Sequence, residues 1–381
     1  MMQPLRVIGL MSGTSLDGVD AAVIETCGER IAWHGPSLSL PYDPALRARA
    51  RALLDRAATI ASDNPEVRAI EQALTARHVE AVQALRVQVE APIDLIGFHG
   101  QTIFHAPQQG RTWQIGDAAR LSRETGLAVV HDFRSRDVSL GGEGAPLAPW
   151  YHAALLQGRP GPVAVLNIGG VANVTMIGAD GTIVACDTGP GNALLDDWAL
   201  RHTGVPYDRD GALAAAGQVH TGIVERLLAD PFFAQAPPKS LDRQSFAHAL
   251  AAVDGLSAQD GAATLAALSV EAVRRTVLPE APREWYVCGG GRHNPTLMAG
   301  LRAALNAAVA PVEMLGWDGD ALEAECFGFL AVRSLRGLPL SAPGITGAPD
   351  HETGGRLTCA GIASPGWLTR VLSTPYAGVP A

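Results

Sequence analysis

The sequence predicts an α/β protein with two related lobes that face each other across a cleft. Short apolar runs typical of buried strands alternate with Ala/Leu/Arg-rich stretches typical of helices. The pattern restarts near residue 150, where a strand, a Gly-rich turn, a second strand, a turn and a third strand repeat the opening order. We therefore expect an N-terminal lobe over 1–149, a C-terminal lobe over 150–349, and a segment from about 350 to 381 that packs back on the first lobe.

Composition limits the classes of partner. The 381-residue chain is 47% hydrophobic and 18% charged, with a net charge of −9. It has no basic tract, which argues against nucleic acid or an anionic membrane as a partner. Its five cysteines are scattered without a CxxC pair, which indicates reduced thiols in a cytoplasmic protein. No run approaches the roughly 20 apolar residues of a spanning helix, and a homodimer is left open.

The chain opens with a β-hairpin whose turn is unusual for a plain connector. Two strand-like runs, at 7–10 and 19–24, flank a cluster of glycines, hydroxyls and one carboxylate, Asp17. Glycines let backbone N–H groups approach an anion, hydroxyls donate hydrogen bonds, and a carboxylate can hold Mg²⁺ through water. The turn therefore suits a polyphosphate, but a tight turn whose hydroxyls cap the backbone explains these residues equally well.

Three further Gly-rich turns, at 169–170, 189–191 and 289–291, also follow predicted strands. Glycines at strand ends are where α/β proteins bind phosphate and nucleotide. Neither GxxxxGK[ST] nor GxGxxG occurs, so a P-loop or a simple Rossmann site lacks its usual evidence. Four such turns, spread over both halves, favour a nucleotide site built from the two lobes.

Capping residues mark the predicted helix starts. Asp43 and Asp63 are the expected N-caps of helical stretches at 43–57 and 64–90, and Asn294 precedes Pro295 at the first position of another helix. An edge strand is expected at 312–314.

Polar side chains at strand ends are candidates for chemistry. Asp187 ends a strand before a Gly-Pro-Gly turn, which favours a general base over a helix-capping aspartate. Arg134 could grip a carboxylate, or form a surface pair with Asp132. His99 and Gln101 could donate to sugar hydroxyls or satisfy backbone at the strand end. Glu323 lies on a helix expected at 320–333. Most helix glutamates face solvent, so its position alone predicts a structural residue.

Seven motifs follow one another up to about residue 349: GLMSGTSLDGVD, GFHGQT, HDFRSRDVSLGGEGAPLAP, NIGGVANVT, DTGPGN, CGGGRHNPTLM and ALEAECFGFLA. Together they resemble the anhydro-N-acetylmuramic acid kinase family. The resemblance implies a two-lobed actin-like ATPase (ribonuclease-H-like) fold, each lobe a β-meander-led mixed sheet flanked by helices, with the active site in the interlobe cleft. It implies ATP and Mg²⁺ as cofactors and 1,6-anhydro-N-acetylmuramic acid as the sugar substrate. Water would open the anhydro bond at C1 while O6 takes the γ-phosphoryl, giving N-acetylmuramic acid 6-phosphate and ADP in the recycling of peptidoglycan.

The resemblance also implies roles for individual residues. Asp187 matches the base that activates water, and Glu323 matches a substrate-side carboxylate. His99, Gln101 and Arg134 fall in motifs that face the sugar. Asp17 lies near the Mg²⁺-bound phosphates. The nucleotide-binding matches are Gly13, Thr14, Ser15, Leu16, Asp17, Gly18, Val19 and Asp20 in the hairpin, Gly169 and Gly170 in the second phosphate turn, and Gly289, Gly290, Gly291 and Asn294 on the adenosine side.

Two alternatives stay open. A conventional sugar kinase of the same superfamily would use Asp187 to deprotonate a free hydroxyl. A nucleotide-switched binding protein of the chaperone or actin type would hydrolyse ATP without any sugar. The anhydro-sugar has no O6–H to remove, so its base must act on water behind C1, and attack from that face predicts inversion at C1.

Overall fold

We describe the protein from a computed structural model, which describes residues 3–241, 245–362 and 366–368. In chain order, the strands are β1 (Leu5–Ser12), β2 (Gly18–Thr26), β3 (Ile31–Pro41), β4 (Leu95–Ala106), β5 (Arg111–Ile115), β6 (Ala128–His131), β7 (Val163–Ile168), β8 (Val171–Ile177), β9 (Ile183–Pro190), β10 (Glu284–Cys288), β11 (Ala308–Pro311) and β12 (Arg356–Thr358).

In chain order, the α-helices are α1 (Pro44–Leu54), α2 (Pro65–Arg86), α3 (Ala118–Thr125), α4 (Ser135–Ser139), α5 (Pro149–Leu155), α6 (Ala193–Thr203), α7 (Ala212–Ala215), α8 (Thr221–Leu227), α9 (His248–Val253), α10 (Ala258–Arg275), α11 (Pro295–Ala304), α12 (Leu322–Leu335) and α13 (Pro343–Thr346). None of the helices in the described ranges is long and apolar enough to cross a membrane.

The chain folds into two compact units. The first comprises Met1–Gln157, Ala321–Pro343 and Gly347–Ala381, and the second comprises Gly158–Asp320 and Gly344–Thr346. This division differs from the expected one at α12, which the sequence assigns to the C-terminal lobe and which packs in the first unit.

The first unit is organised around one mixed sheet. Strands β1, β2 and β3 form an antiparallel meander, and β4 and β6 then add parallel to β1, giving the order β12-β6-β4-β1-β2-β3, with β5 paired to β4. The register places Ser12, the last residue of β1, beside Gln101 of β4. The carboxyl ends of β1 and β6 therefore lie beside residues 98–101 of β4, and the hairpin turn follows the end of β1 there.

The second unit repeats this topology. Strands β7, β8 and β9 form an antiparallel meander, and β10 and β11 add parallel to β7, giving the order β11-β10-β7-β8-β9. Both sheets thus follow the same strand order. The predicted fold class, an actin-like α/β protein with two meander-led mixed sheets flanked by helices, is confirmed, as is the internal repeat.

Glycines explain why α12 belongs to the first unit. A Cβ atom on Gly9 of β1 would lie 1.8 Å from the carbonyl oxygen of Ala324, and one on Gly97 of β4 would lie 2.1 Å from that of Phe327. Only residues without a side chain let the helix backbone lie this close to the sheet. Twelve of the fourteen α12 residues are buried, which identifies a core helix.

Helix capping confirms two predicted starts and corrects a third. Asp43 accepts a hydrogen bond from Leu46 N–H, and Asn294 accepts from Thr296 N–H and Leu297 N–H. The cap of α2 is Asn64, which accepts a hydrogen bond from Glu66 N–H. The prediction that Asp63 caps this helix is therefore wrong. Pro65 occupies the first helical position, so the capping position falls on the residue directly before it.

Two segments near the C-terminus, at 312–315 and 356–358, were not predicted with the structure that they adopt. The edge strand expected at 312–314 is wrong, because Val312–Leu315 forms a 3-10 turn directly after β11. Strand β12 pairs antiparallel with β6, bringing Arg356 opposite His131 in the first unit's sheet. The remainder of the predicted C-terminal segment, at 363–365 and 369–381, lies outside the described residues.

Candidate active site

The hairpin turn of the first unit exposes its polar side chains to solvent and buries one leucine side chain in the core. Leu16 is fully buried, has a φ of 60° and donates its N–H to the Gly13 carbonyl oxygen at 3.1 Å. Thr14, Ser15 and Asp17 are exposed. A branched residue seldom adopts this left-handed conformation, so packing of the Leu16 side chain must compensate for backbone strain. The turn thereby leaves the hydroxyls of Thr14 and Ser15 and the carboxylate of Asp17 exposed to solvent.

A buried chain of hydrogen bonds holds the end of β1 beneath this turn. His78 Nδ1 lies 2.8 Å from the Leu74 carbonyl oxygen and must donate to it, so Nε2 is the acceptor. The Ser12 hydroxyl lies 3.1 Å from that Nε2 and donates to it, and the Tyr42 hydroxyl, 2.7 Å away, donates to Ser12 Oγ. Burial raises the pKa of Tyr42 to about 12, so its hydroxyl keeps the proton that it donates.

We expect Tyr42→Phe to lower the free energy of unfolding by about 1–2 kcal/mol, because it removes one buried hydrogen bond without creating a large cavity. Tyr207→Phe is the matched control, since Tyr207 is 48% exposed and its loss should change stability by less than about 0.5 kcal/mol. Urea unfolding of the two variants measures the difference. Equal midpoints would show that the chain of hydrogen bonds contributes no net stability.

Two arginines of α1 contact the hairpin turn. The sequence pattern did not predict these contacts. Arg47 Nη2 lies 2.7 Å from Asp17 Oδ1, and Arg51 Nη2 donates to the Ser15 carbonyl oxygen at 3.2 Å. Both lie on α1, about 30 residues beyond the turn, so no local motif connects them with it. They bring positive charge to Ser15 and Asp17 of the turn.

A cluster around His99 contains all the residues expected to face the sugar. Gln101 Nε2 donates to the Gly13 carbonyl oxygen at 3.0 Å, which links β4 to the hairpin turn. His99 Nδ1 donates to Gly100 O at 2.8 Å, and its Nε2 accepts from Arg134 Nε at 3.0 Å. Glu323, exposed on the first turn of α12, interacts electrostatically with Arg134. The first unit alone thus brings His99, Gln101, Arg134 and Glu323 together.

Other groups fix this cluster in place. Arg134 Nη1 donates to the Gly144 carbonyl oxygen at 2.7 Å, and the Gly144 N–H donates to Asp137 Oδ2 at 2.6 Å. Asp137 is buried and so braces the loop that carries Glu143. Beside His99 lies a cavity of about 230 Å³ whose polar lining includes Thr112, Gln114, His131 and Asp132. Asp132 pairs with Arg356 at 3.0 Å, so the expected alternative of an Asp132–Arg134 surface pair is not observed among the described contacts.

Buried histidines make the stability of the protein depend on pH. Burial lowers the pKa of His78 and of His152 to about 4, and lowers those of His99 and His131 as well. Below the unfolded value of about 6.5, the unfolded chain binds more protons at these sites, so stability is lost as the pH falls from about 6.5 toward 4. The pKa of His34 is raised, chiefly by its hydrogen bond to Glu325, and this contribution has the opposite sign.

We therefore expect net proton uptake on unfolding at pH 5.5, because four histidines with lowered pKa values outweigh one with a raised value. The urea midpoint should fall between pH 7.5 and pH 5.5. Calorimetric unfolding in buffers of different ionisation enthalpy measures the protons taken up. Zero uptake at pH 5.5 would contradict the neutral, buried state of these rings.

The second unit carries Asp187 and the turns at 169–170 and 289–291 at one edge of its sheet. The expectation that Asp187 ends a strand before a turn at 189–191 is wrong, because β9 continues past Asp187 to Pro190. Asp187 lies near the end of β9, opposite Asn173 of β8, and its Oδ2 accepts from Leu241 N–H at 2.7 Å. Gly169 and Gly170 form the β7–β8 turn, and their carbonyl oxygens accept from the N–H groups of Asn192 and Gly191 at 2.7 and 3.0 Å. Because β7 and β9 run in the same direction, Asp187 and this turn lie at the same edge.

The third glycine turn follows β10, directly beside β7. Gly289 has a φ of +72°, and a Cβ atom there would lie 2.2 Å from Asn167 Oδ1, so the turn requires glycine. Gly290 is exposed and Gly291 is buried. Asn294 has a structural role as the cap of α11, and it is almost fully buried.

Arg292, which the sequence analysis did not single out, holds this turn. Its side chain is 3% exposed, and its guanidinium donates to the Gly289 carbonyl oxygen at 3.0 Å and pairs with Glu313 and Asp320 at 2.7 and 2.8 Å. The planar fork of arginine suits such multiple, directed contacts. The CGGGRHNPTLM motif contains Arg292 and Gly289, but the two carboxylate partners, Glu313 and Asp320, lie outside it.

The first unit thus collects the hairpin and the residues expected to face the sugar, and the second collects Asp187 and the turns at 169–170 and 289–291. A sequence model described as anhydro-N-acetylmuramic acid kinase matches residues 5–360. The anhydro-N-acetylmuramic acid kinase of Gluconobacter oxydans (strain 621H) is 61% identical over 356 residues, 92% of this chain and 98% of its own. That of Acidiphilium cryptum (strain JF-5) is 57% identical over 361 residues, 94% of this chain and 100% of its own.

Among solved structures, a ROK family glucokinase from Streptomyces griseus in complex with glucose and AMPPNP aligns with a TM-score of 0.39 at 13% identity, covering 85% of this chain and 97% of its own. The family assignment depends instead on the extended sequence match, which spans nearly the whole chain at well over half identity in the two relatives above. The chain therefore belongs to the anhydro-N-acetylmuramic acid kinase family.

Proposed function

We propose that Asp187 is the general base of this enzyme and that it activates the water that opens the anhydro-sugar. Membership of the family makes the chain a kinase that uses ATP to convert 1,6-anhydro-N-acetylmuramic acid into N-acetylmuramic acid 6-phosphate, in the recycling of peptidoglycan. The observation that supports the role of Asp187 is its position: a half-buried carboxylate near the end of β9, at the same sheet edge as the Gly169–Gly170 turn.

The chemistry explains why the base must act on water. O6 of the substrate is bonded to both C6 and C1, so it has no proton to lose. Water attacks C1, Asp187 accepts the proton of that water, and the C1–O6 bond breaks. O6 then bonds to the γ-phosphorus as the bond to the β-phosphate oxygen breaks, releasing ADP.

The proposed nucleotide contacts are the hairpin and the glycine turns of the second unit. The hairpin from Gly13 to Asp20 would hold the phosphates through backbone amides and the exposed hydroxyls of Thr14 and Ser15. Gly169 and Gly170 would form the second phosphate contact. Gly289, Gly290, Gly291 and Asn294 would border the adenosine, and the buried Arg292 keeps their turn in shape.

Mg²⁺ fits the donor set of the hairpin. Asp17 is an exposed carboxylate, and no group of three or more His, Cys, Asp or Glu side chains able to hold a metal occurs in the described part of the chain. Mg²⁺ usually keeps several waters and binds through one or two carboxylates plus substrate phosphates, which needs no cage of protein ligands. When bound, the ion would neutralise charge on the β- and γ-phosphates, and Asp17 would hold it through water.

The sugar contacts are proposed for the His99 cluster of the first unit. His99 is neutral, since burial lowers its pKa well below the usual value, and its ring is oriented by Gly100 and Arg134. Arg134 would attract the substrate's carboxylate, and Glu323 would accept from a hydroxyl or amide group of the sugar.

Turnover in ¹⁸O-labelled water tests the proposal against both alternatives. The label should appear on C1 of the product, with inverted configuration, and not in the phosphoryl group. A conventional kinase would leave C1 unlabelled, and a nucleotide switch would hydrolyse ATP equally well without the sugar. We also propose that the enzyme acts in the cytoplasm and binds neither nucleic acid nor membrane, on the basis of its five free cysteines and net charge of −9.

A further inference from the structure

Lys239 is the only lysine in the sequence, and it is buried. The chain has 29 Lys and Arg residues in total, so the other 28 are arginine. Only 6% of Lys239 is exposed, whereas lysines are rarely buried unless they are paired. A compact ammonium on a flexible stem fits a small space that a planar guanidinium would not. The single lysine of the chain is therefore a buried point charge.

The segment that carries Lys239 lies along the edge strand of the second unit's sheet, at the level of Asp187. The backbone N–H of Asp187 donates to the Lys239 carbonyl oxygen at 2.9 Å. Two residues later, Leu241 N–H donates to Asp187 Oδ2 at 2.7 Å. The segment 239–241 thus contacts both the backbone and the carboxylate of Asp187.

The ammonium of Lys239 contacts an aromatic residue, Phe232. Its Nζ donates to the Phe232 carbonyl oxygen at 2.9 Å and lies 4.2 Å from the centre of the Phe232 ring, as in a cation–π contact. Among the described residues, the titratable groups that act on the ammonium are Asp187 and Cys186. Burial raises the pKa of the Cys186 thiol to about 12, so Cys186 is uncharged at neutral pH and Asp187 supplies the negative charge.

We propose that Lys239 is a positioning residue for Asp187, one that keeps the carboxylate ionised and fixes its direction. This inference rests on the role of Asp187 proposed above. A buried cation near a carboxylate favours the ionised form, and only the ionised form can accept the proton of water. Leu241 N–H orients the carboxylate and the Lys239 carbonyl oxygen holds the backbone of the same residue, so one short segment provides both charge and geometry.

The pH dependence of kcat separates this role from a purely structural one. Lys239→Met keeps the length of the side chain and removes its charge, so the pKa of Asp187 should rise and the acid limb of the profile should move about one unit to higher pH. Arg226→Met is the matched control, because it removes an exposed positive charge from the same unit. Its profile should superimpose on that of the wild type. A Lys239→Met profile that also superimposes would overturn the proposal.

A second measurement needs no change at Lys239 and covers the case in which Lys239→Met does not fold. Because the chain has one lysine, ¹⁵Nζ-labelled lysine gives a single side-chain signal whose titration can be followed at alkaline pH. Loss of the nearby negative charge in Asp187→Asn should lower the titration midpoint of that signal by about one unit. Equal midpoints in the two proteins would overturn the inference. If Asp187→Asn instead retained full turnover, the proposed base itself would be wrong, which is a distinct outcome.

Discussion

Asp187→Asn should lower kcat by about 10²–10⁴-fold, the usual effect of removing a positioned general base. Asparagine has the same shape, and its side-chain oxygen can still accept from Leu241 N–H. The orientation of the residue should therefore survive while its basicity is lost. The KM values for ATP and for the anhydro-sugar should change less than about threefold, because the proposed ligand contacts lie on other residues.

Asp210→Asn is the matched control for this substitution. Asp210 is an exposed aspartate of the second unit with a φ of 56°, a conformation that asparagine tolerates well. Its turnover should equal that of the wild type. If Asp187→Asn retained turnover within a few-fold of the wild type, Asp187 would not be the base, and Asp132 and Glu323 would become the next candidates to replace.

The topology of both units was predictable because its signals are local. Each sheet starts with three short strands joined by Gly-rich turns, and such turns are visible within a few residues of sequence. The place of α12 was not predictable in this way. It depends on Gly9 and Gly97, which lie more than 200 residues before the helix and leave space for its backbone. A glycine inside a strand signals a close approach but does not say which element approaches.

The candidate site shows the same limit. The motifs identified the exposed turn and the residues around His99, but the supports of these residues come from distant positions. Ser12 contacts Tyr42 and His78, which are 30 and 66 residues away in the chain. Lys239 reaches Asp187 from a loop that matches none of the seven motifs. A residue that holds a functional group needs only the correct distance and charge, and sequence spacing encodes neither across separate elements.

Asp17 is exposed to solvent and also forms an ion pair, so its role in the hairpin can be tested by substitution. Its side chain is 69% exposed and pairs with Arg47, whose side chain is 53% exposed. An exposed pair of this kind contributes little to stability, about 0–1 kcal/mol. Asp17 could therefore be replaced without unfolding the turn, since Leu16 and the Ser12 hydrogen bonds hold the turn from inside the first unit.

We expect Asp17→Asn to lower kcat/KM for MgATP by about 10–100-fold, which corresponds to about 1.4–2.8 kcal/mol. The neutral amide would hold the waters of Mg²⁺ less strongly than a carboxylate does, so the Mg²⁺ concentration for half-maximal activity should rise. Asp63→Asn is the control, because Asp63 is an exposed aspartate of the same unit that caps no helix. Steady-state rates over a series of free Mg²⁺ concentrations measure both variants.

Arg47→Gln distinguishes a role in metal binding from a role in the ion pair. If Asp17 acts on Mg²⁺, breaking the pair from the arginine side should leave the Mg²⁺ dependence unchanged, because the carboxylate remains. If Asp17 serves only to hold Arg47, both variants should lose the same factor in kcat/KM and neither should shift the Mg²⁺ dependence. An Asp17→Asn enzyme with wild-type turnover at every Mg²⁺ concentration would remove Asp17 from the phosphate site altogether.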